Sequence, residues 1–139
     1  MHNNINIGRK PEIRNATSEH ARLTVLAGAV ADRNPEASDG LLAELERARI
    51  VADGAVSDKT VRMGSAVTYE TDAGETRTVT LVFPGEADIA QGKISILTPI
   101  GTALIGLSAG QAIGWVARDG RRHRLSVLAV APASAAIPA

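Results

Sequence analysis

Apolar positions recur at helical spacing from residue 17 to residue 48. Leu23, Leu26, Ala27 and Val30 make one stripe. Either Thr17 or Ser18 can supply the side-chain oxygen that accepts an unpaired first-turn N–H. The stripe stops at ADRNPE, where Asn34 before Pro35 ends one helix and starts another: Pro suits the first helical position, and Asn can cap it. A second stripe follows in Leu41, Leu42, Leu45 and Ala48, with the aliphatic stem of Arg49. The pattern predicts two short amphipathic helices forming an antiparallel hairpin over 16–50. Arms of about 13–15 residues make it a rod roughly 20 Å long.

From Ser65 the period becomes two. Val67 and Tyr69 share one strand face, Thr68 and Glu70 the other; TDAG at 71–74 is a turn. In ETRTVTLVF, Val79, Leu81 and Phe83 point inward and Thr78 and Thr80 outward. GEADIAQGK reads as an irregular turn or a short helix. A short strand at Ile94–Leu97 follows, then a helix from Pro99 to about Ile105, ended by Gly106. Ala112–Ala117 and Arg122–Val130 form a last hairpin around Asp119-Gly120. Residues 1–15 read as a flexible N-terminus, 51–64 as a linker and the Pro- and Ala-rich 132–139 as a disordered tail. The expected fold is α+β: a helical hairpin followed by a small antiparallel sheet domain, 65–131, with one short helix.

Composition narrows the chemistry. Tyr69, Phe83 and Trp115 are the only aromatics, so the core is aliphatic. Lys plus Arg and Asp plus Glu number 15 each, which leaves no global field to draw the chain onto nucleic acid or an anionic membrane. The absence of cysteine excludes disulfides, thiolate metal sites and thiol nucleophiles. No apolar run approaches the ~20 residues that span a bilayer, and MHNNINIGRK lacks a signal-peptide core; a soluble cytoplasmic protein is expected. His2, His20 and His123 have no metal-ligand partner at helical or strand spacing. Ser95 and Ser108 lack a nucleophile-elbow context, and there is no GxxxxGK[ST] phosphate loop. No enzymatic activity and no cofactor are expected.

The stretch KISILTPIGTALIGL, 93–107, sets a Thr-Pro step between a β-branched run and an apolar helix. With its surroundings, PGEADIAQGKISILTPIGTALIGLSAGQAIGW, it resembles the C-terminal domain of the bacterial Gre transcript-cleavage factors, and more closely the related Rnk regulators of nucleoside diphosphate kinase. The pieces that carry the likeness are Glu86-Ala87-Asp88, Gly92-Lys93-Ile94-Ser95, Thr98-Pro99-Ile100-Gly101, Ala103-Leu104-Ile105-Gly106 and Gly110. The likeness covers roughly residues 17–130. It implies a coiled-coil hairpin, an FKBP-like C-terminal domain, and binding to RNA polymerase at the rim of its secondary channel. Carried over by position, the contact falls on Ser95, Thr98, Pro99 and Ile100. Pro99 fixes φ and pushes Thr98 extended, which would present Ile100 rigidly; the plainer reading is a Pro that merely starts a helix.

The likeness also implies where the pattern breaks. Gre factors carry acidic residues at the tip of a long coiled coil that help hold a metal and water for RNA cleavage. Here Asp32, Glu36 and Asp39 sit on a much shorter hairpin, and Glu36 is equally explained by the helix dipole. The expected function is therefore a non-catalytic polymerase-binding regulator that competes with Gre-type factors; the alternative is Gre-like stimulation of transcript cleavage through that tip. Arg118, Arg121, Arg122 and Arg124 with His123 form the basic cluster, lacking aromatics placed to stack on bases. Nucleic acid is expected only through the polymerase complex, and a prolyl isomerase pocket is disfavoured by the scarcity of aromatics.

Overall fold

The computed structural model describes residues 10–117 and 119–132. The expectations of a flexible 1–9 and a disordered 133–139 lie outside the described residues, as does Arg118 of the basic cluster.

The two apolar stripes form α1 (Thr17–Val30) and α2 (Pro35–Arg47). Asn34 caps α2 as expected, accepting the Ala37 N–H with Pro35 at the first helical turn. The start of α1 differs from expectation. Ala16 occupies the N-cap position without a side-chain bond. Thr17 donates its hydroxyl to the Val51 carbonyl, while the Asp53 carboxylate, beyond the second helix, accepts the Ser18 N–H at 3.0 Å. That bond holds the Asp53 carboxyl below its ordinary range.

Two short strands clamp the base of the hairpin. β1 (Arg14–Ala16) pairs in parallel with β2 (Arg49–Val51), Asn15 opposite Ile50. Arg49 therefore begins a strand rather than closing the helical stripe. Residues 10–15, read as part of a flexible segment, are held: Ile13 is buried, Arg14 donates to the Gly106 carbonyl, and Ile13 accepts from Arg49. The expected linker at 51–64 is also anchored. Val61 is fully buried, donates to Leu107 at 2.7 Å and accepts from Gly106 at 3.0 Å. Backbone pairing of this kind needs no side-chain periodicity, which is why neither segment stood out in the sequence.

Five strands make the main sheet: β3 (Ala66–Thr71), β4 (Thr76–Val82), β5 (Lys93–Ser95), β6 (Ala112–Val116) and β7 (Arg122–Ala131), in the order β5-β4-β3-β7-β6. The inward positions of β3 hold, with Val67 and Tyr69 buried; Leu81 of β4 is buried too, and Val79 and Phe83 pack partly buried against the core. The sheet is not wholly antiparallel, which corrects the expectation. β5 runs parallel to β4, Leu81 opposite Ile94. GEADIAQGK supplies the return path as two single 3₁₀ turns, Pro84–Glu86 and Ile89–Gln91. The short helix α3 (Pro99–Leu104) follows β5.

One core cluster joins Leu23, Ala27, Leu41 and Leu45 of the hairpin to Val67, Leu81, Ile113 and Leu125 of the sheet. The hairpin thus lies against the sheet domain. Its two helices are also tied to each other by the buried Ser38 hydroxyl, which donates to Ala27 O at 2.8 Å. Among the described residues, no helix is long and apolar enough to cross a membrane.

Candidate docking surface

The Thr-Pro step is a corner between β5 and α3 built almost wholly from local hydrogen bonds. Ser95 Oγ accepts from the Leu97 N–H at 3.0 Å. The Ser95 carbonyl accepts from both the N–H and the hydroxyl of Thr98, at 3.1 and 2.7 Å. Thr98 Oγ1 in turn accepts from the Gly101 N–H at 3.0 Å, capping α3 with Pro99 in its first turn. Thr98 is extended, with φ −78° and ψ 156°, as the residue before a proline should be. Below the corner, the Thr102 hydroxyl donates to Ile96 O at 2.8 Å, and Ile96 is fully buried. Ser95, Thr98, Pro99 and Ile100 are all half-buried, and Ile100 packs one flank on the core. The corner is therefore rigid, with part of each side chain facing out.

Gly101 makes this geometry possible, a role its place in the sequence motif did not reveal. A Cβ there would lie 2.3 Å from the Ser95 carbonyl oxygen and 2.9 Å from Thr98 Oγ1. Any side chain would push the corner open.

An open groove of about 1190 Å³ brings the separate candidate clusters together. One wall is the N-terminal half of α2, with Asn34, Glu36 and Asp39; Leu97, Pro99 and Ala103 line another part of it. Across from the helix stand Trp115, Arg122, His123 and Arg124 of the last hairpin. So two of the three tip acids, the proline of the step, and two arginines and the histidine of the basic cluster share one concavity. Asp32 does not line it, nor does Arg121, nor do Ser95, Thr98 and Ile100. Lys10 and Glu44, which also line it, are paired at 2.6 Å, and Glu44 holds Arg47 at 2.7 Å. By contrast, Glu36, Asp39, Arg122 and Arg124 have no ion pair among the described residues. No group of three or more His, Asp or Glu side chains among the described residues is arranged to hold a metal ion.

Two further features were not read from the sequence. Trp115 stacks on His123, ring centroids 5.0 Å apart, at the groove; their places opposite each other across the Asp119-Gly120 turn were the available signal. Ile89, 86% exposed on the turn before β5, stands out as an apolar residue between Asp88 and Gln91.

The comparisons agree with this architecture. Residues 56–132 match the family described as transcription elongation factor, GreA/GreB, C-term, so the chain belongs to the GreA/GreB family. Residues 16–51 match the Rnk N-terminus. The regulator of nucleoside diphosphate kinase of Escherichia coli (strain K12) is 35% identical over 92 residues, 66% of this chain and 68% of that protein. Together these place the chain in the Rnk branch. Transcription elongation factor GreA of Rhodospirillum rubrum is 39% identical over 80 residues, 54% of this chain and 51% of that protein. The chain thus spans about half the length of that GreA protein. Among solved structures, a prokaryotic transcription elongation factor GreA/GreB from Nitrosomonas europaea superposes with a TM-score of 0.69 at 32% identity, over 86% of this chain and 99% of that one.

Proposed function

We propose that this Rnk-type chain is a non-catalytic, cytoplasmic regulator that docks on RNA polymerase through the β5–α3 corner and competes there with Gre-type factors. The observation that carries the proposal is the corner itself, locked by Thr98 and Gly101 beneath a half-exposed Ile100. A preordered apolar anchor loses little entropy on binding, and the corner lies within the segment matched by the GreA/GreB C-terminal family. Nucleic acid enters only through the polymerase complex, and no cofactor or small-molecule substrate is needed. The FKBP-like description of the sheet domain belongs to the same reading.

Transcript cleavage through the hairpin tip is the weaker reading. Glu36 and Asp39 face a groove on the chain's own sheet domain, so the short hairpin holds them back rather than carrying them outward. The test is binding of purified protein to core RNA polymerase, wild type beside Ile100→Asp and the milder Ile100→Ser, with each variant's fold checked by thermal melting. Wild-type binding that both folded variants lose is expected, with displacement of a Gre factor and no added RNA cleavage. Wild type that fails to bind, or folded variants that bind as wild type does, would overturn the proposal.

A further inference from the structure

β6 is the open edge of the main sheet: β7 pairs with one side of it, and no described strand pairs with the other. The hydrogen-bond phase along β6 follows from the closed end of the hairpin, where Ala117 donates to Arg121 O at 2.9 Å. Bonded pairs alternate along an antiparallel ladder. Trp115 and Ile113 therefore exchange bonds with His123 and Leu125, while Ala112, Gly114 and Val116 turn their N–H and C=O groups away from β7. This free edge borders two open concavities. Ile113, Gly114, Trp115 and Val116 line the groove beneath α2, and Ala112 and Gly114 line a smaller neighbouring cleft of about 400 Å³.

Charged side chains of both signs surround this edge, among them Lys10, paired with Glu44, and Asp72, whose carboxylate accepts the Arg124 N–H at 3.0 Å. On the core face, Trp115 stacks on His123, and α2 places Glu36 and Asp39 across the groove. On the outer face stand Arg122 and Arg124, opposite Val116 and Gly114 in the register. Gly114 has no side chain to cover its partner Arg124, which lines both concavities that flank the β6 edge. Glu36, Asp39, Arg122 and Arg124 have no ion pair among the described residues.

From this we infer that the β6 edge is a strand-addition site: an extended segment of a partner protein pairs with β6 in the groove as a sixth strand. Main-chain hydrogen bonds supply affinity, and alternate side chains supply specificity. The segment it selects has a period-two charge pattern. Residues facing α2 and Trp115 are basic or aliphatic, to meet Glu36, Asp39 and the indole. Residues on the outer face are acidic, to meet Arg122 and Arg124. This site does not depend on which partner the β5–α3 corner binds.

The probe is the blocked heptapeptide Lys-Glu-Val-Glu-Lys-Glu-Val, titrated into the full chain and followed by fluorescence of Trp115, the chain's sole tryptophan. A shift in emission is expected. N-methylation of the peptide nitrogens that face β6 should weaken binding by about tenfold or more, because main-chain bonds carry strand addition. Gly114→Pro should do the same at an unchanged melting temperature, since proline is tolerated on an open edge and removes the outward N–H. The double variant Arg122→Glu with Arg124→Glu should prefer a peptide whose outer-face acids alone are reversed, Lys-Lys-Val-Lys-Lys-Lys-Val. The inference fails if neither peptide moves the emission, if the N-methylated peptide binds as well as its parent, or if Gly114→Pro binds normally. It also fails if sedimentation shows a dimer that Gly114→Pro dissociates, for then a second copy of the chain occupies the edge.

Discussion

Thr98 uses its single hydroxyl twice, donating to Ser95 O at 2.7 Å and accepting the Gly101 N–H at 3.0 Å. Thr98→Ala removes both bonds and the cap of α3, and should lower unfolding free energy by about 1–2 kcal/mol in urea titrations. Thr98→Ser, which keeps the oxygen, should lose much less. Gly101→Ala is the harsher change. Its methyl would meet a backbone oxygen that cannot swing aside, so a loss toward the upper end of about 1–3 kcal/mol is expected, as for other overpacked sites. At this scale the sequence was partly readable. Proline after threonine announced the helix start, but the need for glycine three residues past the cap depends on where the Ser95 carbonyl lies.

Single elements were most legible where one period held. Both hairpin helices and strands β3, β4 and β7 follow from the spacing of Leu and Val, because each has one buried face. The short parallel ladder of β1 and β2 was hidden, since three residues show no period and the partners lie far apart in sequence. The direction of β5 was hidden too, being set by the two 3₁₀ turns before it. Glu19 shows how such elements are joined. On α1 and nearly buried, it accepts the Met63 N–H at 3.2 Å and lies 3.8 Å from Arg62. Burial raises its pKa above the ordinary 4.5, against the Met63 bond and the charge of Arg62. Folding thus favours the protonated acid: its contribution to stability is greatest below pH 4.5 and declines as pH rises through the raised folded value. Glu19→Gln keeps an oxygen for Met63 without the buried charge. Its melting temperature at pH 7 should be higher than wild type, and its stability should fall less between acid and neutral pH.

Across the whole molecule, hairpin and sheet domain share one core. A fragment of residues 56–132, the span matched by the GreA/GreB C-terminal family, would lack Ile13, Leu23, Leu41 and Leu45. At about 2 kcal/mol for each buried side chain, their loss is comparable with the ~5–15 kcal/mol that holds a typical domain folded. The fragment should melt well below the full chain or show poorly dispersed amide resonances, whereas the full chain should unfold in one transition. The groove between α2 and the last hairpin could not be anticipated for the same reason. Its acidic and basic walls were each visible in the sequence, but their meeting depends on how the hairpin folds back, which no local pattern encodes.

The parallel clamp of β1 and β2 fixes where the hairpin leaves the sheet domain and where it returns, so its length can vary without moving its base. Seven residues added to each arm would carry the bend about 10 Å further while leaving the Asn15–Ile50 register intact. In the present chain the carboxylates near the bend look back across a groove at their own arginines; in a lengthened one they would clear it. Reach is thus a separable dimension of this scaffold, adjustable at the bend while the anchoring of the base stays the same.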